Sequence, residues 1–268
     1  MLAIKHFTNQ LNQIIMKNLK MGLLVLLMTV FTVNFSNSQE EAQPTMFVVH
    51  TDNVKFEMMP KYEELALKLK KSCEENKIEG MSWTTISVED GRYVYVSPIK
   101  NMAELDTNPM EDLAKKIGKE EMGKMFGEMD ECYDSHSNEI IHFIPELSYM
   151  PEGYDTKDKN EREYHFLYYA PKNAKAMNEG MAKIKEMFEN KGVKNGYEVY
   201  HSGFGSEESY YMVSVAGESE LAIAQDGEDD DELLGDESQA TFWEVIKLAT
   251  KYNEVEAKIR PDLSYYPE

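Results

Sequence analysis

Histidine and cysteine are the residue types here most able to do chemistry, and the chain holds six of the first and two of the second. No His-x₃-His, His-Glu-x-x-His or Cys-x-x-Cys spacing occurs, so no local pattern points to a transition-metal site. A Gly-x-Ser-x-Gly nucleophile elbow and a phosphate-binding loop are also missing, and Gly203-Phe204-Gly205 lacks the third glycine of a dinucleotide fingerprint. Cys73 and Cys132 sit at apolar positions of helical stretches, where a thiol packs as a small hydrophobe. Antiparallel helices put those two positions too far apart to bridge, so both are expected free. Asp226, Glu228, Asp230 and Glu237 occupy positions 1, 3, 5 and 12 of a calcium loop, but position 6 is Asp231 where such a loop needs glycine. The acidic run therefore reads as a solvated loop leading into a helix, with Ca²⁺ as the weaker alternative. His50, His142, His165 and His201 remain, and all four fall in strand-like segments.

The elements that position them are set by a duplication. Pro145-Glu-Leu-Ser-Tyr-Met-Pro-Glu152 returns as Pro261-Asp-Leu-Ser-Tyr-Tyr-Pro-Glu268, and Gly80/Gly196 and Phe126/Phe242 keep the same offset. Each unit reads as βαββαβ. In the first, Met46–Thr51 is a strand. Tyr62, Leu65, Ala66, Leu69 and Cys73 mark one helical face. Glu89-Asp90-Gly91 turns a hairpin, a helical region spans about Met110 to Tyr133, and Asn138–Ile144 is the last strand. The fold class is α+β: two tandem ferredoxin-like repeats, 46–152 and 164–268, joined by a charged linker, 153–163. Both helices of a repeat cover one sheet face, so the repeats are expected to pack sheet to sheet as a pseudo-dimer.

In the last strands Ile141 and Phe143 match Ala257 and Ile259, and this apolar face is expected to meet the helices. His142, Glu256, Lys258 and Arg260 would then form an inter-repeat polar cluster, although a solvated face or structural ion pairs explain the same residues more simply. The second strands align as Met81/Tyr197, Trp83/Val199 and Thr85/His201, a mostly apolar face expected under the helices. His50 and His165 coincide in the helix register but not in the strand pattern, so no symmetric pair is assigned.

Duplicated βαββαβ units resemble the dimeric α/β-barrel superfamily, which includes antibiotic-biosynthesis-type monooxygenases and haem-handling and stress-response proteins. The resemblance covers Met46 to Glu268 as element order and implies a pseudo-dimeric α/β barrel. It implies a ligand pocket between sheet and helices, which makes Trp83, Tyr197 and His201 the ligand-binding candidates. A core histidine with a satisfied hydrogen bond is the plainer account of His201. With no catalytic or metal-ligating set identified, the first expectation is a non-catalytic module that binds a small apolar or aromatic molecule or a protein partner. The alternative is a cofactor-independent or haem-associated monooxygenase-like enzyme.

Charge and the N-terminal stretch bound the setting. Lys17 and Lys20, the apolar run Gly22–Val33, and Ser36 and Ser38 ahead of Gln39 have the order of a secretory signal peptide, with Met16 as a candidate start. The run has 12 residues, short of a membrane span. Residues 1–38 are expected to be removed, leaving a polar leader at 39–45 and a product in the periplasm or outside the cell. The net charge of −21, less the three lysines of that segment, becomes −24. Such acidity disfavours nucleic acid and anionic membrane surfaces. N-terminal sequencing of the exported protein should begin at or near Gln39; a product that retains Met16 to Val33 would refute cleavage.

Overall fold

The computed structural model describes residues 46–108 and 110–267, so the expected signal segment and leader lie outside the described residues. The first repeat runs β1 (Met46–Val54), α1 (Met59–Glu75), β2 (Thr84–Val88), β3 (Arg92–Ile99), α2 (Glu111–Ile117), α3 (Lys119–Asp130) and β4 (Tyr133–Phe143). The second runs β5 (Glu161–Tyr169), α4 (Ala174–Lys191), β6 (Glu198–Ser202), β7 (Tyr210–Gly217), α5 (Glu220–Leu234), α6 (Glu237–Ile246) and β8 (Ala249–Ile259). The run from Asp226 to Glu232 lies within α5, not in a loop. Ser219 caps this helix by accepting from the Ala222 N–H. On a helix Asp226 and Asp230 share a face and Glu228 points away, so these acids do not wrap an ion as a calcium loop does.

All eight strands pair antiparallel in one closed barrel, ordered β1-β3-β2-β8-β5-β7-β6-β4. Each repeat supplies a four-stranded sheet. Two seams join them: β2 to β8 through Ile86–Ile259, Ser87–Lys258 and Val88–Ala257, and β4 to β6 through Ile141–Ser202, His142–His201 and Phe143–Tyr200. The repeats thus make one compact unit, and the ladders leave no open sheet edge.

Closure gives each strand two apolar faces. The barrel interior is filled by Phe47, Val49, Val94, Val96, Ile141, Phe166, Tyr168, Tyr200, Tyr210 and Met212, and toward the other seam by Ile86, Val88, Tyr164, Val255, Ala257 and Ile259. The helices cover the outer face. Tyr62, Leu65, Ala66, Leu69 and Cys73 are the buried stripe of α1, and Met177, Gly180, Met181 and Ile184 that of α4. A side chain at Gly180 would begin 2.6 Å from Val245 Cγ2, so glycine is what lets α6 lie against α4. The expected facing of the last strands is therefore reversed. Ile141, Ala257 and Ile259 point into the barrel, while His142, Glu256, Lys258 and Arg260 point outward. Alternation was correct; the apolar side belongs to the lumen because eight strands enclose a core of their own. Cys73 and Cys132 are buried free thiols.

The duplicated phrase clasps the repeats reciprocally. The Ser148 hydroxyl donates to the Ile144 carbonyl (2.9 Å) and accepts from the Val199 N–H of β6 (2.8 Å). The Ser264 hydroxyl donates to the Arg260 carbonyl (2.8 Å) and accepts from the Thr85 N–H of β2 (2.8 Å). Tyr149 and Tyr197 exchange backbone hydrogen bonds, as do Tyr265 and Trp83. The Tyr149 and Tyr265 hydroxyls donate to the Val193 and Ile78 carbonyls, at 2.6 and 2.5 Å. Each clasp follows the last strand of one repeat and binds the hairpin of the other. Ser148→Ala and Ser264→Ala should each leave a buried N–H without its acceptor and cost about 1–3 kcal/mol. Thermal unfolding should show one transition, lowered by either substitution; separate transitions for the two halves would refute a shared cooperative unit.

Candidate functional site

The repeat offset is not uniform. It is 115 residues for β1/β5 and α1/α4, 114 for β2/β6, 118 for β3/β7 and 116 for β4/β8. The β6–β7 connection, Gly203 to Ser209, is four residues longer than Glu89 to Gly91, and this absorbs the difference. Trp83 therefore corresponds to Tyr197, Thr85 to Val199 and Ser87 to His201, a two-residue correction to the expected alignment. His50 does correspond to His165.

The three expected ligand-binding residues do not share one pocket. Trp83 lies in the helix-side core of the first repeat, tilted against Tyr265 with ring centres 5.0 Å apart, and its Nε1–H donates to the Leu263 carbonyl. Tyr197 occupies the matching core of the second repeat against Tyr149 and Phe188, and its buried hydroxyl has no hydrogen-bond partner. His201 is the residue of the three with a reactive arrangement. Its Nε2 is 2.6 Å from the Tyr169 hydroxyl, and its ring lies 4.9 Å from that of Tyr211, whose hydroxyl accepts from Asn178 on α4. Burial, and after it the charge of neighbouring His142, hold His201 below the usual histidine range. Burial pushes the Tyr169 phenol up to about 12. At neutral pH the pair is then a neutral imidazole facing a neutral phenol, joined by a hydrogen bond in which the proton stays on Tyr169.

The expected polar cluster divides over the two seams. His142 lies opposite His201 on the β4–β6 seam. Arg260 reaches across the other seam to grip Glu63 of α1 with two contacts, at 2.5 and 3.1 Å, and also pairs with Asp262. Glu63 accepts in addition from the Tyr93 hydroxyl (2.6 Å), and the Arg260 hydrogen bonds hold its carboxyl below the usual range. Lys258 pairs with Glu161, and Glu256 stands near Glu89 and Glu220. β4 and β8 stand on opposite sides of the closed barrel, so their outward-facing side chains cannot converge, which separates His142 from the other three.

Sequence reasoning missed Tyr169, Tyr211 and Asn178, and missed the set around His50. His50 Nδ1 lies 2.9 Å from Asn138 Oδ1 and its Nε2 lies 3.0 Å from Asp52 Oδ1, with the His136 ring 5.4 Å away. His50-x-Asp52 and His136-x-Asn138 are period-two pairs on neighbouring strands, a signal the 115-residue register would have exposed. An open groove of about 990 Å³ lies between α5 and α6, with Phe242, Trp243 and Ile246 beside Asp231, Glu232 and Asp236. It shares no lining residue with the His201 cluster.

No protein-family model and no curated protein sequence matches the chain. Solved structures do match in fold. An anthrone oxidase-like protein superposes with a TM-score of 0.51 at 13% identity, over 81% of this chain and 91% of that one. A candidate monooxygenase from Lactobacillus acidophilus gives 0.51 at 8% identity, over 84% and 97%. Chlorite dismutase from Candidatus Nitrospira defluvii, in complex with imidazole, gives 0.50 at 7%, over 83% and 94%. The chain has the dimeric α/β-barrel fold. Identities this low carry the fold alone.

The acidic helix of this barrel carries a titration. Burial raises Asp230 to about 6, with the charges of Asp226, Asp229 and Asp231 adding to it against a hydrogen bond from Asn195. The folded protein binds this proton more tightly than the unfolded chain, so its stabilising effect is complete below pH 3.8 and lost as pH rises through about 6. Asp230→Asn should therefore stabilise above pH 7 and give no gain at pH 4. Asp230 is half-buried, and solvent screening limits the gain to about 1 kcal/mol, or about 2–4 °C in a protein of this size. Melting curves across pH check the sign.

Proposed function

We propose that this barrel is a cofactor-independent, monooxygenase-like enzyme acting on a small apolar or aromatic molecule, with His201 as base and Tyr169 as the phenol that orients it. The observation that carries the reading is the neutral Tyr169–His201 pair at 2.6 Å on the helix-covered barrel wall. The fold shared with an anthrone oxidase-like protein and a candidate monooxygenase supports it. Once the Tyr169 hydroxyl turns from Nε2 to the substrate, His201 would take one proton of an acidic CH₂ group, and the carbanion would add to dioxygen; the second hydrogen of that carbon leaves later with the water. The imidazolium would return the proton to the peroxide, and loss of water would leave a carbonyl. One oxygen atom enters the product and the other leaves as water, so no external reductant is required. Tyr169 stays protonated at neutral pH and orients the imidazole by its hydrogen bond.

A non-catalytic binding module is the second reading, favoured by the open α5–α6 groove, where Trp243 is 60% exposed beside an acidic rim. Either role is proposed for the exported protein; among the described residues no helix is long and apolar enough to cross a membrane. Oxygen uptake with a panel of anthrones and acidic phenols separates the two. His201→Ala should lower turnover about 10²–10⁴-fold, the usual worth of a general base, while His142→Ala has a smaller effect. Uptake unchanged by His201→Ala would overturn the assignment. No uptake, together with a copurifying ligand lost on Trp243→Ala in native mass spectrometry, would establish the binding module instead.

A further inference from the structure

The outer face of the β1–β4 strand pair carries a buried carboxylate with one oxygen lacking a hydrogen-bond partner. Asp52 is 3% exposed. Its Oδ2 is 2.5 Å from the Tyr62 hydroxyl, which lies 2.9 Å from that of Tyr95. Tyr62 has one proton, so it donates to Asp52 and accepts from Tyr95. The other oxygen, Oδ1, faces only His50 Nε2, 3.0 Å away, and has no other partner. The contact needs a cation between its two atoms, and either a proton on the imidazole or a metal ion can supply it. With Asn138 Oδ1 accepting from His50 Nδ1, Nε2 is the nitrogen left to serve as ligand.

We propose that His50 Nε2, Asp52 Oδ1 and a ring nitrogen of His136 form a binding site for one divalent first-row transition-metal ion such as zinc. The three ligand atoms lie within 4.8 Å of one another. Ligands at about 2.1 Å from a metal stand about 3.0–3.4 Å apart, a spacing the His50–Asp52 pair already has. His136 is the cross-strand partner of Asp52 and is exposed, so it closes on the ion by a side-chain rotation and leaves the solvent side open for water. Two imidazoles and one carboxylate suit zinc or ferrous iron better than magnesium or calcium. Asn138 on His50 and Tyr62 on Asp52 are the outer contacts that orient such ligands.

The second repeat supplies an internal control. Glu163, His165 and Glu254 also lie close together. There His165 makes the same kind of contact, to Glu163 at 2.9 Å, with the Tyr252 hydroxyl at 2.8 Å on its other nitrogen, but Glu163 and Glu254 are open to water, which can satisfy their oxygens, whereas Asp52 is buried. Leu167 and Tyr252 stand where Asp52 and His136 stand in the first repeat. Glu89, Glu220 and Glu256 are an exposed acidic group with no such orphaned atom.

Metal-free full-length protein titrated with Zn²⁺ should bind one equivalent per chain, with a rise in melting temperature. Co²⁺ in its place should show the visible absorption bands of nitrogen and oxygen ligation. Asp52→Asn and His136→Ala should each weaken Zn²⁺ binding at least about tenfold, and His165→Ala should leave it unchanged. His136 is exposed, so its replacement preserves the fold, which circular dichroism checks. Absence of binding, full affinity in a folded His136→Ala protein, or loss of the equivalent in His165→Ala would each overturn the site.

Discussion

Buried backbone N–H groups must find acceptors, and in this barrel the demand is met across the repeat boundary. The hydroxyls of Ser148 and Ser264 take the N–H groups of Val199 and Thr85, which lie on the hairpin of the opposite repeat. Each serine also returns its own proton to the carbonyl four residues behind, so both ends of the clasp are fixed by one side chain. Leu147 and Leu263 follow the same route and are buried in the core of the repeat they cross into. Neither half can complete its hairpin edge alone. The duplication of Pro-[Glu/Asp]-Leu-Ser-Tyr is therefore a structural constraint on the closed barrel, not a mark of chemistry.

Closure also decides where chemistry can be done. Aromatic rings fill the lumen: Tyr200 packs on Phe47 and Phe143 at 5.9 and 5.4 Å, and Tyr210 on Phe166 and Tyr168 at 5.3 and 5.5 Å. Reactive side chains are left to the outer wall, between strands and helices or at the seams. The two seams have diverged. At one, His142 faces His201; at the other, Lys258 and Ser87 hold those positions and Arg260 closes onto Glu63. A charged pair tied by a two-pronged contact fastens a seam. A pair of imidazoles, one of them hydrogen-bonded to a phenol, places no such ion pair at the other seam.

Much of this architecture was legible in the sequence because the repeat is carried by residues with fixed structural duties. Element order, duplication and barrel class follow from Leu147/Leu263, Ser148/Ser264 and the helix stripe Tyr62 to Cys73. What was not legible has physical causes. Period two assigns residues to two faces without saying which is inner, and a closed barrel has apolar residues on both. The four extra residues between Ser202 and Tyr210 raise the offset from 114 at β2/β6 to 118 at β3/β7, so the 116-residue spacing of the end phrase misplaces β6 by two and hid the equivalence of Ser87 and His201. The acidic run misled because like charges disfavour a helix, yet a serine cap, and the packing of Ile223 and Leu234, hold it helical. Tyr169 and Asn178 approach His201 and Tyr211 only through the fold, and no local spacing announces them.

Divergence between the repeats separates structural duty from chemical duty. Positions that answer a packing need stay alike: Tyr93 and Tyr211 both turn their hydroxyls to a polar residue on the helix above, Glu63 in one repeat and Asn178 in the other. Positions that hold reactive groups differ. Asp52 gives way to Leu167, His136 to Tyr252 and Ser87 to His201. A buried acid costs stability unless a cation, such as the facing His50 when protonated or a metal ion, meets it, and packing alone would favour leucine, as the second repeat has. The first repeat keeps the acid, and keeps two tyrosines and two histidines arranged around it. The second keeps the tyrosine–histidine pair under its helix. One barrel thus carries two unlike polar sites on equivalent scaffolds, each where its sister repeat has the residue that packing would choose.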